Sequence, residues 1–260
     1  MKSNGPKAFD VIIIGAGVIG AAIARELSKY RVKIAILETN LQVAQETSAG
    51  NSGVIHGGFD PTPGTLHAKF NISGRKIYES EWFKELAFPH KKVDSLVLAF
   101  DDAEVEEIRN LYDQGIANGV KASDLKILNK KQCLRLEPNL NPEVVAALLC
   151  TCSHVVDPVS LTNCLVENAI ANGVKVFLGT KVQSIGRNSE GFEVKTFTYD
   201  RKRVSYRARF VVNAAGHYAD VVANMIKDKD FTLKARRGQY RIIEKSERGT
   251  INDHILFMAP

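Results

Sequence analysis

Val11-Ile-Ile-Ile-Gly-Ala-Gly-Val-Ile-Gly20 is an apolar run that breaks into three spaced glycines, and its reading decides the fold. The apolar half predicts a strand and the second half the start of a helix running from Gly17 to Tyr30. In such a turn Gly15 permits the tight bend, Gly17 lets backbone approach a pyrophosphate, and Gly20 brings the helix close against the strand. The helix would then face the phosphates with the positive end of its dipole. Glu38 lies 18 residues after Gly20 and closes the apolar run Val32 to Leu37. A carboxylate there accepts hydrogen bonds from both hydroxyls of an adenosine ribose and repels a 2′-phosphate. Glycine-rich turns also arise for purely conformational reasons. The strand before, the helix after and the acid at this distance select an adenine dinucleotide site, while leaving open which dinucleotide.

The 260 residues suffice for one large domain or two modest ones. A hydrophobic content of 45% and a charged content of 25% are those of a globular protein and exclude disordered and fibrous classes. The formal charge of +6 favours acidic partners such as phosphate-bearing metabolites, nucleic acid or anionic lipid. Nucleic acid is not expected, because no recognition motif accompanies the charge. The densest basic group, Arg201, Lys202, Arg203, Arg207 and Arg209, alternates with Val204, Tyr206 and Ala208 as an edge-strand surface would.

Cys133, Cys150, Cys152 and Cys164 have neither zinc-site nor disulfide-framework spacing. They read as small buried hydrophobes, with a redox pair at Cys150 and Cys152 as the minor alternative. His67, His90, His154, His217 and His254 form no metal spacing, and no metal is expected. Lys69 and Arg75 read as solvated charges on an amphipathic helix and receive no site role. Met1 to Asp10 is polar and the first apolar run is broken by Arg25 and Glu26, so neither a signal peptide nor a membrane span is predicted and the expected location is cytoplasmic.

After Glu38 the chain does not enter another strand and helix directly, as a nicotinamide-binding domain would. It enters a stretch of small residues, Gln45 to Gly58, in which Thr47, Ser48, Asn51 and Ser52 supply hydrogen bonds and glycines allow close approach to a long cofactor. A surface loop with helix caps is the competing reading. A helix is then predicted over Ala68 to Leu86, with Phe70, Ile77, Tyr78, Trp82 and Leu86 as its apolar stripe and Pro89 beyond its end. A strand follows over Val93 to Phe100, and a helix opened by a capping box at Asp101 and Glu104 carries Val105, Ile108, Leu111 and Tyr112 towards Gly119. Leu134 to Asn139 closes a further short helix. Asp157-Pro158 opens a helix reaching Asn172-Gly173, ahead of a strand over Lys175 to Leu178. Val182 to Gly186, Glu193 to Thr198 and Val204 to Arg209 read as a three-stranded meander, and Phe210 to Gly216 as a separate strand buried on both faces, returning to the central sheet.

These blocks together resemble the flavin-dependent oxidoreductases of the D-amino acid oxidase and glycerol 3-phosphate dehydrogenase superfamily. Within it the resemblance is to the glycerol 3-phosphate oxidases of mycoplasma type, through Glu46-Thr-Ser-Ala-Gly-Asn-Ser-Gly-Val-Ile-His-Gly-Gly58, Ala214-Ala-Gly-His-Tyr-Ala-Asp220 and Ala235-Arg-Arg-Gly-Gln-Tyr240. L-2-hydroxyglutarate oxidases share much of this pattern. The resemblance implies FAD as the cofactor and an α/β fold. That fold is a Rossmann-like FAD-binding domain of parallel sheet, crossover helices and three-stranded β-meander, with an interleaved, incomplete α+β substrate domain. The expected boundaries give residues 1–88 and 151–227 to the first domain and 89–150 and 228–260 to the second.

Carried over residue by residue, the resemblance implies that Gly15, Gly17, Val18, Ile19 and Gly20 hold the pyrophosphate turn and Glu38 the ribose. Thr47 and Ser48 would flank the phosphates, Ser52, Gly53, Val54, Ile55 and His56 would lie along the flavin, Val182 would offer backbone groups to the adenine, and Ala215 and Gly216 would pass close to the pyrophosphate. For His56 two readings stand side by side. It is a packed or surface histidine, or it is the base that takes the C2 hydroxyl proton, or orients the substrate, as hydride moves to the flavin.

The activity implied is oxidation of glycerol 3-phosphate to dihydroxyacetone phosphate, with molecular oxygen as acceptor and hydrogen peroxide as product. Another 2-hydroxy acid or an amino acid is the alternative substrate, and a non-catalytic remnant the alternative to an enzyme. The expected partners are that small molecule and oxygen, with at most a peripheral contact to a membrane surface. Members of this family continue beyond the point at which this chain stops, so the resemblance implies a substrate domain cut short and impaired catalysis.

Overall fold

A computed structural model describes residues 7–226, 231–239, 241–242, 244–247 and 249–260. The chain forms two compact units, Met1–Ser52 with Asp157–Gly238, and Gly53–Val156 with Gln239–Pro260. Two of the expected boundaries, after residues 88 and 150, therefore move to 52 and 156. Residues 53–88 go with the second unit because Phe59 and Ile72 bury their side chains in its core. The expected boundary at 227/228 lies outside the described residues.

The chain opens with β1 (Lys7–Ile14), α1 (Val18–Ser28) and β2 (Ile34–Leu37). Val11 to Ile14 and all four residues of β2 are buried, as strands covered on both faces must be. The second unit follows. It begins with β3 (Val54–Ile55) and α2 (Leu66–Ile77), which runs on through a π-helical stretch, Tyr78–Trp82, into a last turn, α3 (Phe83–Glu85). The extra residue per turn changes the helix's phase, and the expected stripe is corrected accordingly. Ala68, Ile72, Arg75 and Trp82 are buried, while Phe70 and Ile77 are exposed.

Next come β4 (His90–Lys92), β5 (Asp94–Ala99), α4 (Asp102–Ala117), β6 (Leu125–Asn129), α5 (Lys130–Leu136), β7 (Ala146–Cys150) and β8 (His154–Val156). Asp101 caps α4 by accepting from the Glu104 N–H at 2.8 Å. Glu104 reaches back one residue further than a capping box requires, to the Phe100 N–H.

The first unit resumes with α6 (Pro158–Ala171), β9 (Lys175–Phe177), β10 (Thr180–Asn188), β11 (Gly191–Thr198), β12 (Arg203–Asn213) and α7 (Ala219–Asn224). Asp157 caps α6 through the Ser160 N–H at 2.7 Å, with Pro158 at its first position. The six strands of this unit pair in the order β10-β11-β12-β1-β2-β9. The four strands from β12 to β9 are parallel, and β10 to β12 form the antiparallel meander. The fold is the expected Rossmann-like α/β arrangement with a three-stranded meander.

The strand predicted over Phe210 to Gly216 is not separate. It is the second half of β12, whose first half pairs with β11 and whose whole length from Tyr206 to Asn213 pairs with β1. Nor is it buried on both faces: Phe210 is 60% exposed. The basic alternation at Arg203, Arg207 and Arg209 marks the solvent face of this interior strand, and not the edge strand it suggested.

In the second unit, β13 (His254–Met258) completes a sheet of order β13-β5-β7-β6, and β3, β8 and β4 form a smaller one. β13 runs parallel to β5, in a sheet otherwise antiparallel. Its approach is fixed by Glu137, only 1% exposed, whose carboxylate accepts from the Asn252 N–H at 2.7 Å and meets His254 Nδ1. Glu137→Ala leaves both donors unpaired and is expected to cost about 1–3 kcal/mol, read as a lower urea midpoint. An unchanged midpoint would contradict this account of β13.

Candidate functional site

The β1–α1 turn is shaped by two places where no side chain fits. Gly15 has φ +104°, and a Cβ there would come 2.4 Å from the Ala214 carbonyl oxygen. A Cβ on Gly20 would come 2.0 Å from the Gly15 carbonyl oxygen and 3.4 Å from Ile13 Cγ2, so α1 lies directly on β1. Gly17 caps α1 without a side chain. The hydroxyl of Ser48 does that work instead, accepting from the Val18 N–H at 2.9 Å. A hydroxyl accepts and donates at once, so Ser48 can cap Val18 and still donate to a phosphate oxygen. The Ile19 side chain is exposed.

Glu38 follows β2 at the same sheet edge. Its Oε2 accepts from the Ala16 N–H and its Oε1 from the Asn40 N–H, both at 2.7 Å. A carboxylate offers about four acceptor positions, so two remain for vicinal hydroxyls. The segment after Asn40 wraps the turn: Ala44, at φ +59°, donates its N–H to the Ala16 carbonyl at 3.2 Å. Asn51 Nδ2 donates to the carbonyls of Thr47 and Ser48 at 3.0 and 2.9 Å and shapes the backbone beside them.

These elements enclose a cavity of about 390 Å³. Gly15, Gly17, Glu38, Thr47, Ser48, Val182, Ala215 and Gly216 line it. Gly20 lies behind the turn, and Val18, Ile19 and Ser52 are not in its wall. Val182 sits where the β10–β11 register slips, and such a bulge leaves backbone groups outside the ladder. Gly53, Val54, Ile55 and His56 belong to the second unit and take no part in this cavity.

Thr39, Asn40, Lys181 and Tyr218 also line it, and the sequence reading missed them. For Thr39 and Asn40 a signal existed, since they directly follow Glu38 at the end of a parallel strand. Lys181 and Tyr218 reach the wall only through tertiary folding.

In the second unit, His56 follows β3 and stacks on Phe257, with ring centroids 6.0 Å apart and 26° between planes. Its ring keeps solvent contact, yet loss of hydration lowers its pKa below the ordinary value of 6.5. Asp60 opposes this and His67 adds to it. The imidazole is therefore neutral at neutral pH and able to accept a proton. Among the described residues, no group of three or more His, Cys, Asp and Glu is placed to hold a metal ion, and no helix is long and apolar enough to cross a membrane. Tyr240, the last residue of one resemblance block, lies outside the described residues.

Fold and cavity together define a dinucleotide-binding protein of Rossmann type. The chain belongs to the DAO family of FAD dependent oxidoreductases, whose model matches residues 10–260. It is 41% identical over 251 residues to the glycerol 3-phosphate oxidase of Mycoplasma pneumoniae, covering 96% of this chain and 65% of that one. It is 41% identical to the glycerol 3-phosphate dehydrogenase of Caloramator mitchellensis, covering 97% of this chain and 51% of that one. Among solved structures it resembles the dithionite-reduced L-α-glycerophosphate oxidase of Mycoplasma pneumoniae with FAD bound, with TM-score 0.86 and 37% identity over 98% of this chain and 66% of that one. The chain thus spans about two thirds or less of the length of these relatives.

Two glycine-to-alanine changes separate close packing from helix propensity. Gly20→Ala is expected to destabilise the chain by about 1–3 kcal/mol, because the Gly15 carbonyl must move. Gly74→Ala in α2, where a Cβ would meet nothing within 4 Å, should instead stabilise it by up to about 1 kcal/mol. Thermal melts of the two proteins moving in the same direction would refute the packing argument for α1.

Proposed function

We propose that this chain binds FAD, with the adenosine and pyrophosphate in the cavity of the first unit, and serves the oxidation of glycerol 3-phosphate to dihydroxyacetone phosphate. The observation that carries cofactor binding is the placement of the Glu38 carboxylate. It is held by the Ala16 and Asn40 amides at the mouth of the glycine turn, with acceptor capacity left over. The donor set fits the group. Thr47, Ser48 and the start of α1 would face the phosphates, Glu38 the ribose, and the bulge at Val182 the adenine, all but the helix start being in the cavity wall. Ala215 and Gly216, the latter at φ +54°, carry the backbone past the pyrophosphate without a large side chain. Ser52, Gly53, Val54 and Ile55 are assigned to the flavin side by family likeness.

When bound, FAD would supply the hydride acceptor, with reoxidation by oxygen giving hydrogen peroxide. The protein's own task is proton removal. His56, neutral above its lowered pKa, takes the proton from the substrate's C2 hydroxyl as the carbonyl of the product forms. Support for glycerol 3-phosphate as substrate comes from the identities of 41% to an oxidase and a dehydrogenase of that compound.

The test is anaerobic reduction of the flavin-loaded protein. Glycerol 3-phosphate is expected to bleach the flavin band and 2-hydroxyglutarate to leave it unchanged; the reverse result would move the substrate to the 2-hydroxy acids. His56→Asn should retain the flavin band and slow its bleaching by about 100-fold or more, the usual contribution of a general base. In the wild type the bleaching rate should rise with pH to a plateau, with its midpoint below 6.5, because the lowered pKa keeps the base form available into mildly acidic solution. Unchanged bleaching in the variant would return His56 to a packing role.

A further inference from the structure

Two thiols that the proposed reaction does not use lie against the segment that carries His56. β7 ends at Cys150, and the chain bends at Thr151, whose N–H donates to the Asp124 carbonyl at 2.9 Å. In a regular strand, residues two apart are separated by about 6.6 Å along the axis. The bend brings the Cys150 and Cys152 sulfurs to 3.5 Å, with no disulfide between them.

Their surroundings give the two sulfurs different characters. Cys152 Sγ lies 3.6 Å from the Gly57 carbonyl oxygen, and Ser153 Oγ lies 3.8 Å from Cys150 Sγ. The Cys150 thiol is pulled below the ordinary range, first by the hydrogen bond from Cys152, with burial opposing and the positive charge of Arg75 assisting. The Cys152 thiol is pushed up by the same hydrogen bond. One sulfur is thus disposed to be a thiolate and its neighbour to hold the proton, as in a nucleophile and its resolving thiol. Gly57 has no room for a side chain, since a Cβ there would come 2.2 Å from Cys150 Sγ. The pair therefore packs directly on backbone one residue from His56.

We propose that Cys150 and Cys152 form a dithiol that a hydroperoxide oxidises to an intrachain disulfide, packed against the Gly57 backbone one residue from His56. The Cys150 thiolate attacks one oxygen of the peroxide and the O–O bond breaks. Sulfur is oxidised to a sulfenic acid and hydroxide leaves, to be protonated to water. Cys152 then attacks that sulfur and the S–S bond forms as the sulfenic oxygen departs with the Cys152 proton as the second water. In sum two thiols are oxidised and one hydrogen peroxide is reduced to two waters. Closing the bond needs the sulfurs to move from 3.5 Å to about 2.05 Å.

Burial decides where the oxidation stops. Cys150 is fully buried and Cys152 6% exposed, so oxidant arrives through local opening, whereas the resolving thiol is already in place. A second peroxide then loses to Cys152, and the sulfinic step is bypassed. Cys133 is an internal control: it too is fully buried, but burial pushes its thiol up. Hydrogen peroxide is also the product assigned above, but the thiol chemistry stands independently of that reading, because the test supplies the oxidant.

The experiment treats the folded chain with added hydrogen peroxide, unfolds it, alkylates the remaining thiols and maps them by mass spectrometry. Two of the four cysteines are expected to escape alkylation, joined within the 150–152 segment and recovered by dithiothreitol, while Cys133 stays alkylated. Cys152→Ser should stop at a sulfenic acid on Cys150 that dimedone traps, and Cys150→Ser should give neither adduct nor link. Four alkylated thiols in the treated wild type, a link between two chains, or sulfinic acid at Cys150 would overturn the proposal whether or not the variants fold.

Discussion

The contact between Gly20 and the Gly15 carbonyl is the constraint from which the rest of the first unit follows. With no Cβ at residue 20, α1 sits on β1 closely enough that Ile13 and the Gly15 carbonyl form its floor. That fixes where the helix begins, and hence where Gly17 and the Val18 N–H stand relative to the sheet edge. Gly15 in turn needs positive φ to pass the Ala214 carbonyl, which ties the turn to the end of β12. The parallel order β12-β1-β2 therefore brings Ala215, the glycine turn and Glu38 to one edge. Open parallel sheets bind their ligands at that edge because the strand ends and helix starts converge there.

Polar groups around the turn are satisfied in ways that leave capacity for a ligand. Glu38 takes two backbone amides and Ser48 one, and each can engage a further partner. A site built only of unpaired donors would be costly to keep without its ligand. Here the same side chains stabilise the turn and present their remaining valences to the cavity. The second unit is built differently, as an antiparallel sheet with β13 added in parallel, and the buried Glu137 determines how that last strand arrives.

Much of this was legible because it is local. The strand, the glycines and the acid occupy one 28-residue stretch from Val11 to Glu38, and caps such as Asp101 and Asp157 act within three residues. The errors arose where pairing or helix phase overrides local pattern. β12 changes from alternating basic residues to a continuous apolar run, which looks like two strands, because its two halves have different neighbours. The π-helical stretch at Tyr78–Trp82 takes the buried Trp82 out of phase with Phe70 and Ile77, which lie before it and are exposed. The first domain boundary fell too late because nothing in residues 53–88 announces that Phe59 and Ile72 are buried in the second unit's core. In the cavity, glycines and acid could be read from spacing, whereas Lys181 and Tyr218 lie far away in sequence, and although Tyr218 stands in the block Ala214 to Asp220, nothing in the chain's local pattern aims either side chain at the glycine turn.

On the proposed function, the first unit recognises the adenosine diphosphate half of the cofactor. Isothermal titration of the purified chain with FAD, ADP and FMN tests it most directly. FAD and ADP are expected to compete for one site, FMN not to bind it at the same concentrations, and Glu38→Ala to weaken FAD by about tenfold, the value of one charge-assisted hydrogen bond. FMN displacing FAD as well as ADP does, or Glu38→Ala leaving FAD affinity unchanged, would contradict it.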